Sequence, residues 1–198
     1  MKNRLLLSTL LLMGILHAKT ISIAGTADLQ GMLEPSVQKI DLDGDGKRDK
    51  VEMGGISHLS TLFKELKKEN PNTVIVSAGD DLMNRYFHVY KGKAILSLMS
   101  DAGYDLYAFG NHEFDKGSDV LADALNGTKF TSLCSDLDVS SSALKGKCQP
   151  YEIREIDGVK VGFFSLIIED LLTSTSEKKV KPLLDNVSNA KKMVKLLK

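Results

Sequence analysis

Apolar positions along the chain change spacing in a regular order. Thr20–Gly25 is a short β-branched run and Thr73–Ala78 a continuous apolar one, both of strand type. Between them Ile56, Leu59, Leu62, Phe63 and Leu66 recur at three- and four-residue spacing, the stripe of an amphipathic helix that Asn70-Pro71 stops. Ala94, Ile95, Leu98, Met99 and Ala102 form the next helical face, closed by Gly103. Leu106–Phe109 reads as a third strand and Ser118–Leu125 as a short helix. Strand and helix in alternation predict an α/β fold with a parallel core and right-handed crossovers.

The spacing then changes. Tyr151–Ile156 and Val159–Ile167 flank Asp157-Gly158, a pair that suits the positive φ angles of a two-residue turn, so a β-hairpin is expected there. Asn186–Leu197 carries Val187, Ala190, Met193, Val194 and Leu197 on one stripe with lysines opposite, which favours a core-facing helix with a solvated face over the alternative of a membrane-surface helix.

The first residues follow neither spacing. Lys2 and Arg4 precede an apolar run from Leu5 to Leu16, and Ala18 offers a small residue for cleavage. That is the three-part pattern of a secretory signal peptide over residues 1–18, too short for a stable membrane anchor. The expected location is therefore periplasmic or secreted.

Composition adds little until it is divided. The 198 residues hold 26 basic and 26 acidic side chains, 42% hydrophobic residues and no net charge, which excludes a disordered or fibrous chain and gives no reason to expect a nucleic-acid partner. The balance hides a basic leader, an acidic body and a lysine-rich end beyond Ser176.

The acidic excess gathers where the strands end. Thr26-Ala27-Asp28-Leu29-Gln30-Gly31 follows the first, Ala78-Gly79-Asp80-Asp81 the second, and Gly110-Asn111-His112-Glu113-Phe114-Asp115 the third. Ligands of open α/β sheets sit at the carboxyl ends of strands, so Asp28, Asp80, Asn111 and His112 would converge there. Two carboxylates, an amide oxygen and an imidazole suit one or two divalent cations such as Mn²⁺, Mg²⁺ or Zn²⁺. A single loop of this kind is as readily an ordinary polar turn. Three in succession, each at a strand exit, favour a shared site.

These residues carry a resemblance. Gly110–Asp115 (GNHEFD), Ala78–Asp80 (AGD) and Asp28–Gln30 resemble the motifs of the calcineurin-like metallophosphoesterases. Gly54-Gly55-Ile56 and Ala102-Gly103-Tyr104-Asp105 are similar to the bacterial exported 5′-nucleotidase branch, and the likeness runs from about Ile21 to about Glu169. It implies part of a four-layer α/β sandwich, with residues 19–198 an incomplete metallophosphoesterase domain lacking the separate C-terminal domain that grips the nucleoside. It also implies roles: Asp28 on a first metal, Asp80 bridging two, Asn111 on the second, His112 over the phosphate, and Asp115 orienting His112. The implied reaction is hydrolysis of a nucleotide or other small phosphate ester by a water that two metals activate. Gln30 stands where the family usually has histidine, and the family's later Gly-His-x-His does not occur before Lys198. His58 and His88 have no motif context, and a surface or structural role is expected for both. Alternatives are a remnant that binds metal or calcium with little catalysis, a 2′,3′-cyclic-nucleotide phosphodiesterase, or a sulfur-ester hydrolase on the same fold.

A second metal signal is independent of the first. Asp41, Asp43, Asp45, Gly46, Lys47, Asp49 and Glu52 match the ligand and turn positions of a twelve-residue calcium loop, with Lys47 giving its carbonyl and Glu52 closing it. A polar surface insertion is the alternative. Cys134 and Cys148 are the two cysteines; export favours a disulfide between them, and free thiols are the other reading.

Overall fold

The computed structural model describes residues 19–171, 175, 177–183 and 185–198; the leader assigned to residues 1–18 lies outside them. In chain order come β1 (Ser22–Thr26), β2 (Ser36–Ile40), β3 (Asp49–Met53), α1 (Ile56–Glu69), β4 (Thr73–Ser77), α2 (Asn84–Tyr90), α3 (Lys93–Ala102) and β5 (Leu106–Ala108). A single helical turn (His112–Phe114), α4 (Ser118–Ala124), β6 (Thr131–Leu133), β7 (Leu137–Asp138), β8 (Glu152–Ile156), β9 (Val159–Phe163), β10 (Lys181–Pro182) and α5 (Asn186–Leu197) follow. Strands β1, β4, β5 and β6 form one sheet in that order, parallel throughout. All three candidate loops therefore leave the same edge of the same sheet, which is what brings them together.

Helices α1 and α3 pack on each other and cover the sheet through Phe63, Ile95, Leu96, Met99, Ala102 and Ile75. On α1, Ile56, Leu59 and Leu66 reach this core while Leu62 remains exposed. The expected face of α3 is rotated: Leu96 is buried and Leu98 is exposed. The cause is packing, because α3 touches α2 and α4 as well as α1 and is enclosed on more than one side. On α5, Met193 and Asn189 are buried, but Val187 and Val194 of the expected stripe are exposed.

Strands β8 and β9 pair antiparallel across Asp157 (φ 51°) and Gly158 (φ 72°), the two-residue turn that the sequence suggested. The second strand is shorter than its apolar run. After Phe163 the chain leaves its partner: Ser165 N–H donates to Ser135 Oγ at 2.7 Å, and Ile167 N–H donates to Asp136 Oδ2 at 2.7 Å. The segment beyond β6 thus satisfies backbone groups that the hairpin would otherwise have used. Cys134 and Cys148 are bonded across a separation of 14 residues, a closure that contributes about 3 kcal/mol by the chain-entropy account. Among the described residues no helix is long and apolar enough to cross a membrane.

Candidate active site at the strand exits

The chain turns sharply after β1 and after β4, and it does so with residues that resist the conformation. Asp28 (φ 57°), Gln30 (φ 48°) and Asp80 (φ 56°) are left-handed, three of the six non-glycine residues with positive φ among the described residues. Each such residue costs about 1–3 kcal/mol and persists only where its surroundings hold it. Backbone bonds do the holding: Asp28 N–H donates to Gly79 O at 2.9 Å, Gln30 N–H to Asp80 O at 3.1 Å and Gly31 N–H to Asp81 O at 2.7 Å. The β1–β4 pairing is in effect prolonged past the strands into the two loops, aligning Asp28 and Gln30 with Asp80.

Two glycines let the β4 and β5 exits touch. A Cβ on Gly79 would lie 2.3 Å from the Gly110 nitrogen, and one on Gly110 would lie 2.2 Å from Asp80 Oδ1. The Asp80 carboxylate thus rests directly on the Gly110 backbone, where any larger residue would displace it. Its Oδ1 also accepts the His112 N–H at 3.0 Å, joining the loops of Asp80 and His112.

Two acidic residues that the sequence reading passed over, Glu113 and Asp81, organise this crossing. Glu113 is fully buried, and its carboxylate accepts the backbone N–H groups of Asp80 (2.9 Å), Asp81 (2.8 Å), Leu82 (3.2 Å) and Gly110 (2.7 Å), together with the Tyr107 hydroxyl (2.8 Å). Asp81, also buried, accepts from Leu29 N–H at 3.1 Å and from the Ser77 hydroxyl. One carboxylate ties the second loop to the third, and the other ties the second to the first. Burial pushes both acids up, Asp81 to about 7, despite the hydrogen bonds that oppose it. Both stood in the quoted motifs; the signal that could have separated them from metal ligands is their place beside, rather than at, the turning residue.

His112 begins the helical turn after β5, and its Nδ1 lies 2.9 Å from Asp115 Oδ2. That bond raises the imidazole pKa above its ordinary value, against partial desolvation. Asn111 precedes it and closes the turn through its carbonyl, which accepts Phe114 N–H at 3.0 Å.

The donor set fits divalent cations. Among the described residues no lysine or arginine pairs with Asp28 or Asp80, and the loops that carry them also carry the neutral amide side chains of Gln30 and Asn111. Hard oxygen donors without a protein counter-charge are what such ions require. His58 bonds the Gly54 carbonyl (2.8 Å) and His88 lies 3.1 Å from Lys116 Nζ, so each has a local contact of its own.

The second metal signal falls on a hairpin, β2–β3, whose tip holds Asp41, Asp43 and Asp45 with ligand atoms within 4.8 Å of one another. Asp49 and Glu52 stand in β3 itself, opposite Ile40 and Val37, so the strand carries Glu52 away from the tip rather than round to close it. The tip carboxylates accept the N–H groups of Gly44, Asp45, Gly46 and Lys47.

Comparison with known proteins adds a family. The sequence signature of the family described as calcineurin-like phosphoesterase matches residues 21–181. The NAD 5′-nucleotidase of Haemophilus influenzae is 30% identical over 184 residues, 91% of this chain and 30% of that protein. Its solved structure superposes with a TM-score of 0.82, covering 89% of this chain and 35% of the other at 30% identity. The 5′-nucleotidase precursor of Thermus thermophilus gives a TM-score of 0.81 at 30% identity, covering 89% and 34% respectively. This chain thus spans about a third of the length of these relatives.

Proposed function

The chain belongs to the calcineurin-like phosphoesterase family, and on that premise we propose that it is an exported, metal-dependent phosphoesterase of 5′-nucleotidase type, acting on nucleotides. The observation that carries the reading is the position of Asp80. It is held left-handed between the other two loops, with one carboxylate oxygen bonded to the His112 amide and no lysine or arginine paired with it among the described residues.

Asp28, Gln30, Asp80 and Asn111 would hold two divalent cations. When bound, such ions supply Lewis-acid charge to the phosphate and make the attacking water more acidic. The chain's own residues do the rest. Asp115 occupies Nδ1 of His112, fixes the ring and favours its protonated form, which leaves Nε2 to give a proton to the departing ester oxygen. Glu113 and Asp81 keep the three loops in register. Gln30 offers only a neutral amide oxygen, so the site favours harder cations, Mg²⁺ or Mn²⁺ over Zn²⁺.

Calcium at the hairpin tip belongs to the same reading, with Asp41, Asp43 and Asp45 as the converging ligands. Metal-dependent release of phosphate from AMP tests the catalytic assignment.

A further inference from the structure

Of the candidate metal ligands, Gln30 has the longest side chain and offers only a neutral amide oxygen. It is exposed, and its backbone is left-handed at φ 48°, a conformation kept only where the surroundings hold it. What holds Gln30 therefore bears on whether its amide can serve a cation.

The Cα–Cβ bond of a residue is directed by the two peptide planes that flank its Cα. For Gln30 both planes are gripped. On one side its N–H donates to Asp80 O at 3.1 Å. On the other its carbonyl accepts from Asn84 Nδ2 at 2.6 Å, across a separation of 54 residues. The first bond is made by backbone and would form with other residue types at position 80. The second is made by a side chain, so it depends on the identity of residue 84.

Asn84 is itself left-handed, at φ 61°, a conformation that asparagine adopts more readily than most residues. It opens α2, and its Oδ1 accepts the Tyr86 N–H at 3.0 Å, an amide of the first turn that has no partner within the helix. The two neighbours fix which end of the Asn84 amide goes where: Tyr86 N–H needs an oxygen, and Gln30 O needs a donor. An aspartate here would keep the α2 bond and set a carboxylate oxygen against the Gln30 carbonyl. A glycine would keep the backbone conformation and lose both bonds. The approach is possible because residue 31 is glycine: a Cβ there would lie 2.5 Å from Met83 O and 3.0 Å from both polar atoms of the Asn84 amide.

We propose that Asn84 is a positioning residue for the candidate metal centre, tying α2 to the Gln30 backbone so that the Gln30 amide is presented in register with Asp28 and Asp80. The inference rests on the reading of Gln30 as a metal ligand. It makes α2 part of the support of the first metal site and gives a reason for a left-handed asparagine at the start of that helix. Groups that orient a ligand without touching the cation are worth about 10–100-fold in metal affinity.

Two measurements on the full chain separate this hold from ordinary helix capping. Without metal, amide hydrogen exchange followed by NMR reads the hold itself. N84D should speed exchange of the Gln30 and Gly31 amides about tenfold while Tyr86 N–H stays protected. With Mn²⁺, calorimetry reads the consequence, using N84G because it introduces no charge. N84G should weaken Mn²⁺ binding about tenfold. The same substitution in a Q30A background should cost less than about twofold, because a group that acts through the Gln30 side chain then has nothing to position.

Exchange at Gln30 that is unchanged in N84D would overturn the proposal. So would a loss of Mn²⁺ affinity in N84G that is absent, or that is equally large in the Q30A background. A parent chain that binds no Mn²⁺ while Gln30 exchange responds to N84D would support the hold of Asn84 on the β1 exit and instead defeat the metal reading.

Discussion

The carboxylate of Glu113 accepts the backbone N–H of Asp80 at 2.9 Å. The residue next to His112 in sequence thus holds in place the residue that would bridge the metals. It bonds two further amides of the same loop and one of its own, so a single carboxylate ties the β4 and β5 exits together.

Removing that carboxylate should cost stability before it costs chemistry. Glu113→Gln puts an amide NH₂ among backbone donors, and Glu113→Ala leaves several of them unsatisfied. A loss of about 2–4 kcal/mol is expected for Glu113→Gln, and more for Glu113→Ala. Urea denaturation measures it; midpoints equal to that of the parent chain would show that Glu113 does not organise the site.

The pH dependence of the metal-free protein has a definite sign. Burial raises Asp81 to about 7, above the unfolded value of about 3.9. Folding therefore favours its protonated form. The associated stability is fully present below the unfolded value and is lost as pH rises through the folded one. Asp81→Asn, neutral throughout, should flatten the decline in melting temperature between about pH 4 and 7. A decline of equal steepness in both proteins contradicts this.

For His112 the relevant quantity is its own titration, followed by NMR in the absence of metal. The bond from Asp115 raises its pKa, so the imidazolium persists to higher pH than an isolated histidine would allow. Asp115→Asn should shift the midpoint downward, and in catalysis it should bring the high-pH loss of activity to lower pH. A midpoint that does not move removes Asp115 from its orienting role.

The hairpin tip makes a separable prediction. Calcium should raise the melting temperature of the parent chain, and Asp43→Ala with Asp45→Ala should abolish the rise. Glu52→Gln should leave the rise in place, since Glu52 stands in β3 opposite Val37. A rise that survives loss of Asp43 and Asp45 rejects the tip as the calcium site.

The alternation of β1, α1, β4, α3, β5 and α4 was legible because apolar spacing reports which face of an element is buried, whereas the three-residue β6 and the seven-residue α2 are too short to show a period. The rotated face of α3 was not, since burial on several sides erases a one-sided stripe and turns Leu96 inward in place of Leu98. The β2–β3 hairpin was also hidden: its strands are largely exposed and lack the alternation that marks a half-buried strand. At the strand exits, residue type pointed to Asp28, Asp80, Asn111 and His112, but it could not distinguish Asp80 from Asp81 or His112 from Glu113. That difference lies in backbone conformation and burial, with Asp80 left-handed and only partly buried, and Asp81 and Glu113 fully buried.

Metal-dependent catalysis at the strand exits is best tested by phosphate release from AMP by the full chain as a function of added Mn²⁺, with His112→Ala measured alongside. Turnover should disappear on chelation, return with Mn²⁺, and fall about 100-fold or more in the variant. Turnover that is absent at high enzyme concentration with saturating Mn²⁺, or unaffected by loss of His112, would refute the catalytic assignment.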